Sequence, residues 1–377
     1  MRRINGPRIL MTTDAVGGVW VYSTTLAAAL ARRGAEIHLL TLGPPPRLDQ
    51  LAPVRRLGNV CVECTDLALE WMDPGGADFK RACECLSRIA RRFSPDLIHL
   101  NGYREALADW RAPTVLAAHS CVWSWWQDCR GGQPAEPRWH TYRANVAAGL
   151  GAADLWLAPT AAFRDRIHAL YAPPQRGQVI HNGTDVACSR RPKESFVLAA
   201  GRLWDEAKNG RAVAAAASRI GWPVRLVGFE RDSTQASTQA RVQCHGVLPR
   251  RDLVSLMARA AIFAAPARYE PFGLCVLEAA ASGCALVLAD IASFRELWGG
   301  AALFVDPSDS HGLVSALRRV CGNAALRTRL QEAARLRAKR YSAAAMADAY
   351  CGAYAKALAS PSRMASSWRA IVAQGRA

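Results

Sequence analysis

The chain has 377 residues, 51% of them hydrophobic and 21% charged, which is enough for two lobes that each bury a core and excludes a mainly disordered protein. A formal charge of +17 suits anionic substrates, an anionic membrane surface or nucleic acid. No RNP motif, zinc finger or recognition-helix pair occurs, so dedicated nucleic-acid binding is not expected.

The elements alternate from the start. Residues 8–12 read as a short apolar strand, followed by a loop at 14–18 and a helix at 22–33 with alanines and leucines at helical spacing. Gly34 closes that helix, and 36–41 is the next strand. Strands at 97–100 and 114–118 each end on a polar residue, Asn101 and His119. A helix at 143–149 leads into a strand at 154–158. The run from Ala172 through Pro173 and Pro174 to Gly177 reads as a linker, after which the rhythm restarts. Strands are expected at 196–200, 224–227, 262–265 and 285–288, with helices at 210–218 and 274–281. The expected fold class is therefore α/β, with two Rossmann-like doubly wound domains facing a central cleft. The expected domains are 1–173 and 174–349, with a terminal helix over about 350–377 packing back on the first. Ligands of such sheets gather beyond the C-terminal strand ends, so the active site is expected between the lobes.

The longest apolar runs, 260–266 and 279–289, are too short to cross a bilayer. Arg2 and Arg3 precede an apolar stretch, 9–11, that is too short for a signal peptide. A cytoplasmic location is expected, and the charge leaves open a peripheral contact with the anionic inner face of a membrane. Cys61 and Cys64 form a CxxC without a second pair, and most of the twelve cysteines are scattered singly, so reduced structural cysteines are expected. The basic stretch 318–340 reads as a solvated helix face.

The segment with most chemistry is Glu270-Pro271-Phe272-Gly273-Leu274-Cys275-Val276-Leu277-Glu278. Gly273 permits close backbone approach, and the amides from Gly273 and Leu274 onward open a helix suited to a phosphate. Glu278 follows Leu274 by just over one turn and can face the same ligand. Upstream, Gly201-Arg202-Leu203 follows a strand, and Lys208 lies six residues beyond the arginine. One planar guanidinium and one compact ammonium at a strand end could neutralise a departing diphosphate.

The Glu270…Glu278 segment resembles the Glu-x7-Glu signature of retaining glycosyltransferases, and with its flanking residues it looks like glycosyltransferase family 4, of GT-B fold. The resemblance implies that Glu270 contacts the transferred sugar and that Glu278 binds the donor ribose. It also implies that Arg202 and Lys208 clamp the diphosphate, and that the first lobe takes the acceptor and the second the nucleotide sugar. Gly17 and Gly18, directly after the first strand, match a family glycine pair, and a Gly-Gly turn lets backbone amides close over a phosphate or sugar. His119 matches a family histidine near the donor sugar, and its catalytic role is expected beside Glu270, Arg202 and Lys208. The segment at His245-Gly246-Val247 is expected to touch the base through the backbone of Val247. His181-Asn182-Gly183-Thr184-Asp185 matches an architectural turn at the start of the second lobe, and Arg295 and Glu296 fall in a further segment near the cleft.

Trp123, Trp125 and Trp126 depart from the family pattern. Three tryptophans within four residues suit neither a strand nor one helix face, so a flat acceptor-binding platform for sugar or lipid is expected. No Asp-x-Asp pair occurs, so neither metal nor other cofactor is expected; the nucleotide sugar is a co-substrate, and the acceptor is a glycan, glycolipid or small molecule. Two other readings stay open: a nucleotide-sugar epimerase of the same fold, and an inactive binding protein at a membrane surface.

Overall fold

The computed structural model describes residues 6–188, 191–228 and 241–359. The first lobe contains β1 (Arg8–Asp14), α1 (Gly18–Ala31), β2 (Glu36–Leu42), α2 (Leu48–Arg55), β3 (Val60–Cys64), α3 (Phe79–Phe93), β4 (Leu97–Leu100) and β5 (Thr114–Ala117). It continues through α4 (Val122–Arg130), α5 (Pro137–Ala152), β6 (Leu155–Ala158), α6 (Ala161–Tyr171) and β7 (Gln178–Val179). Its seven strands are parallel, in the order β3-β2-β1-β4-β5-β6-β7.

The second lobe contains β8 (Glu194–Ala200), α7 (Gly210–Ile220), β9 (Val224–Val227), β10 (Val242–Cys244), α8 (Arg250–Arg259), β11 (Ala260–Ala265), α9 (Leu274–Ala281) and β12 (Ala285–Ala289). It ends with α10 (Ala292–Trp298), β13 (Ala302–Val305), α11 (Ser310–Gly322) and α12 (Ala324–Ala338), and α13 (Ala343–Ala359) follows it. Its six parallel strands run β10-β9-β8-β11-β12-β13. In both sheets the order reverses beside the first strand, at β1/β4 and at β8/β11, and a crevice opens at such a switch point.

Strands such as β12, buried at every position, are apolar throughout because helices cover both faces of the sheet. α3 shows the surface-helix alternative: Ala82, Leu86, Ile89 and Phe93 recur at helical spacing and face the core, while arginines and Lys80 cover the outside. α9 is buried along most of its length, and its alanines let it lie close under the sheet.

Three expectations are corrected here. The 172–177 run does not separate the lobes, because β7 follows it and pairs with β6 in the first sheet; the crossing to the second lobe lies between β7 and β8. Helix α13 begins at Ala343, not near 350, and packs Met346, Tyr350 and Tyr354 into the first lobe beside α1; residues 360–377 of the expected terminal helix lie outside the described residues, as do Arg2 and Arg3. The 318–340 stretch spans the end of α11 and all of α12, and Arg335 within it is buried and paired with Glu332. The cysteines also divide: Cys121 and Cys284 are buried, whereas Cys61, Cys64, Cys188 and Cys351 are exposed. Among the described residues no helix is long and apolar enough to cross a membrane.

Candidate active site

The polar loops at the C-terminal strand ends of the two lobes meet. After β1 the chain turns through Asp14, whose carboxylate accepts from the Val16 amide at 2.8 Å, and reaches Gly17 at the N-cap of α1. Burial holds the Asp14 carboxyl above its usual range, while the Val16 amide and Arg202 pull the other way. A β-carbon built on Gly17 would stand 3.8 Å from the Arg202 guanidinium, and one built on Gly18 would stand 3.6 Å from Leu274 Cδ1. The glycine pair of the first lobe thus lies directly against Arg202 and against Leu274, which opens α9, in the second.

Arg202 follows β8 and lies 3.4 Å from Asp205. Lys208 closes a short 3₁₀ turn, Glu206–Lys208, and donates to the Glu270 carboxylate from the loop after β11. Gly273 has a φ of +87°, and a β-carbon there would press on Phe294 at 2.9 Å, so both backbone and packing call for glycine. The structure therefore brings Gly17, Gly18, Arg202, Lys208, Glu270, Gly273 and Leu274 to one cleft.

Glu278 lies in the second turn of α9 and is buried. Its carboxylate accepts from Arg250 Nε at 2.7 Å, and Arg250 Nη2 reaches Asp185 at 2.6 Å. Burial raises the Glu278 pKa, and Arg250 opposes that rise. Sequence reasoning missed Arg250; the signal was a lone buried carboxylate on an apolar helix, which demands a cation. Asp185, expected as architecture, is the third member of this chain. Val247 is 68% exposed, beyond β10. Beside it Gly228 and Gly246 join through a backbone hydrogen bond at 2.5 Å, and any β-carbon on Gly228 would collide with the Gly201 carbonyl.

His119 follows β5 and is half-buried, with its ring edge-on to Tyr22 at 4.4 Å between centroids. Burial, with His99 as a lesser cause, lowers its pKa to about 3, so the ring is neutral.

The tryptophan platform is corrected. Trp123 is 0% exposed and sits in the first-lobe core. Trp125 is half-buried and donates from Nε1 to Asp205 of the second lobe at 2.9 Å. Trp126 is half-buried, 6.5 Å from Trp139 between ring centroids and under the Arg130 guanidinium. α4 is therefore an interlobe clasp rather than a flat face. Arg130 pairs with Glu206 at 2.8 Å, and the hydroxyl oxygen of Tyr269 in the second lobe accepts from Ser124 Oγ at 2.9 Å and from the Cys121 amide at 3.1 Å.

A second clasp joins the lobes at the Glu270 loop. Thr160 donates to the Pro271 carbonyl at 2.9 Å, and Glu296 accepts from the Ala161 and Ala162 amides at 2.9 Å each, which caps α6. Arg295 turns away and pairs with Asp290. Glu296 rather than Arg295 is thus the member of that segment that faces the first lobe.

Residues 16–187 match the family described as Glycosyltransferase Family 4, and residues 188–337 match that described as Glycosyl transferases group 1. The chain belongs to the family 4 glycosyltransferases. A glycogen synthase of Mycobacterium tuberculosis is 32% identical over 204 residues, 49% of this chain and 49% of that protein, so the match spans about half the length of that relative. A D-inositol 3-phosphate glycosyltransferase of Xylanimonas cellulosilytica is 26% identical across 92% of this chain and 97% of its own. The structure of a sucrose-phosphate synthase from Thermosynechococcus elongatus superposes with a TM-score of 0.75 at 17% identity, covering 93% of this chain and 99% of that one. Anabaena HepE in complex with UDP and glucose superposes with a TM-score of 0.72 at 18% identity, covering 93% and 100%. The fold of this family 4 member is GT-B, two Rossmann-like domains in tandem.

Proposed function

We propose that this chain transfers a sugar from a nucleoside-diphosphate donor to an acceptor hydroxyl of a glycan, glycolipid or small molecule, with retention of anomeric configuration and without a metal. The observation that carries this reading is the convergence of Gly17 on Arg202 and of Gly18 on Leu274, with Lys208 on Glu270 beside them. A diphosphate seated there meets backbone amides of two helix N-termini, one guanidinium and one ammonium.

In this reading Arg202 and Lys208 stabilise the negative charge that grows on the diphosphate as its sugar bond breaks, and they are already in place before it does. Glu270, balanced by Lys208 at rest, orients the sugar, and the acceptor hydroxyl attacks from the side of the leaving group. Glu278 binds the ribose hydroxyls, held in direction by Arg250. The metal-independent part rests on charge: the cleft carboxylates Glu270 and Glu278 are each paired with a cation, and Arg202 and Lys208 supply positive charge for the diphosphate.

The relatives named glycogen synthase and D-inositol 3-phosphate glycosyltransferase, and HepE with its UDP and glucose, support a nucleotide-sugar donor and a hydroxyl acceptor. The test is a panel of nucleoside-diphosphate sugars with sugar, polyol and lipid-linked acceptors, scored by nucleoside-diphosphate release and by the anomeric proton of the product. An inverted product removes retention; a protein that neither binds nor turns over any donor removes the function.

A further inference from the structure

Asn101, just past β4, has an amide whose orientation is decided by its neighbours. Its Nδ2 lies 2.6 Å from the Thr12 carbonyl and 3.1 Å from Ser23 Oγ. A carbonyl only accepts, so the NH2 group must face Thr12 and Oδ1 must face the other way. On that side His119 Nε2 stands 2.7 Å from Oδ1, and His99 Nε2 stands 3.2 Å from it. Oδ1 only accepts, so His119 Nε2 carries the proton. His119 Nδ1 makes no hydrogen bond to the protein among the described residues, and the half-buried ring stands at the C-terminal end of β5.

We propose that Asn101 is a positioning residue that fixes His119 as the Nε2–H tautomer, which presents Nδ1 to the cleft as an acceptor for a hydroxyl of the bound sugar. This deepens the transferase reading and rests on it for the identity of the hydroxyl. The hold extends to the C-terminal helix. His99 gives its Nε2 proton to Asn101, so its Nδ1 accepts from Tyr354 of α13 at 2.6 Å, and Tyr22 donates to Tyr350 of α13 at 2.5 Å. A helix that follows the whole second lobe thereby braces a histidine of the first. The groups facing the His119 ring are Tyr22 from α1, His99 from β4 and Asn101; burial lowers the His99 pKa to about 4, so none of them is charged at neutral pH.

The test reads the ring itself in the resting enzyme. Long-range proton–nitrogen NMR on histidine-labelled protein at pH 7, with His119 assigned by its loss in His119→Gln, is expected to show a protonated Nε2 and a bare Nδ1. An Nδ1–H ring, an even mixture or an imidazolium overturns the proposal, whether or not transfer occurs, so its failure is separate from that of the function. Asn101→Ala is expected to release the ring to a tautomer mixture and to lower kcat about tenfold or more, with nucleoside-diphosphate affinity unchanged; an unchanged tautomer overturns it. Should Asn101→Ala not fold, Asn101→Asp supplies the answer, because a carboxylate at this place raises the His119 titration. A His119 that titrates as in the parent is not held by position 101, which also overturns the proposal.

Discussion

Lys208 and Glu270 form an ion pair that joins the 3₁₀ turn after β8 to the loop after β11. Both side chains are half-buried, so neither can be deleted without leaving its partner facing a cleft with reduced solvation. In the proposed mechanism the pair keeps the ammonium aimed at the diphosphate and the carboxylate aimed at the sugar before any donor arrives.

The two residues should therefore behave as one unit. Lys208→Ala and Glu270→Ala are each expected to cost about 3 kcal/mol of transition-state stabilisation, mainly through kcat. The double variant should lose clearly less than the sum, since the second deletion no longer strands a charge. Strict additivity in kcat/KM would mean that the two residues act independently and that their ion pair has no part in the reaction. Arg202→Ala is expected to cost about as much as Lys208→Ala, and near-normal turnover in both would remove the diphosphate assignment.

The two glutamates should separate in calorimetric titration. Glu278→Ala is expected to weaken binding of the free nucleoside diphosphate, because a carboxylate on ribose hydroxyls acts in the ground state. Glu270→Ala should leave that binding nearly intact and impair transfer. Reversed effects would reverse the roles. The comparison counts only where the melting temperature of Glu278→Ala stays close to the parent's, since the residue is buried on α9.

Arg250 carries a prediction with a pH sign. Burial already raises the Glu278 pKa, and Arg250 is the main force holding it down. Arg250→Ala should raise it further. A carboxyl raised on folding contributes stability that is fully present below its unfolded pKa and is lost as pH rises through the folded one. The variant should therefore lose stability, relative to the parent, as pH climbs from the ordinary carboxylate range toward neutrality, by about 3 kcal/mol at the top. Equal melting temperatures across that range would show that Glu278 does not depend on Arg250.

Strand periodicity and the Glu-x7-Glu spacing made the inner strands of both sheets and most of the candidate cleft residues legible in the sequence. A short apolar run such as 285–288 suits a strand covered on both faces, and Gly273 before an apolar helix suits a turn of close backbone approach. What stayed hidden depends on contacts distant in sequence. Arg250 lies 28 residues from Glu278, and Asn101 lies 18 from His119, and no local pattern joins them. The Trp123–Trp126 run misled for a related reason: composition gives three large rings, but only the packing of α4 decides that one fills the core and one reaches Asp205. The boundary at 173 erred because a proline-rich turn ends a helix without ending a sheet.

The clasp reading of α4 is tested by separating stability from acceptor use. Trp123→Ala should cost about 3–5 kcal/mol in the first lobe, as removal of a fully buried indole does, and leave the acceptor KM of the folded fraction unchanged. Trp125→Phe keeps the ring but drops the bond to Asp205, and it should loosen the lobes against each other, visible as a larger radius in small-angle scattering. An acceptor KM that rises in both variants at equal stability would restore the platform.

Gly18 offers the sharpest division between architecture and function. It is the first residue of α1, where alanine is favoured over glycine by up to about 1 kcal/mol through helix propensity. A β-carbon there would meet only Leu274 Cδ1, at 3.6 Å, an ordinary contact. On structural grounds alone Gly18→Ala should be neutral or stabilising. If the amides at 17 and 18 close over the donor, however, the added methyl occupies the space that a phosphate or sugar needs, and donor affinity should fall about tenfold or more while the melting temperature holds or rises. Calorimetry with the nucleoside diphosphate and the full donor measures the first quantity, and thermal unfolding without ligand measures the second. A variant that is more stable and binds donor as the parent does would place the diphosphate away from this turn, and Arg202 alone would then have to mark its position.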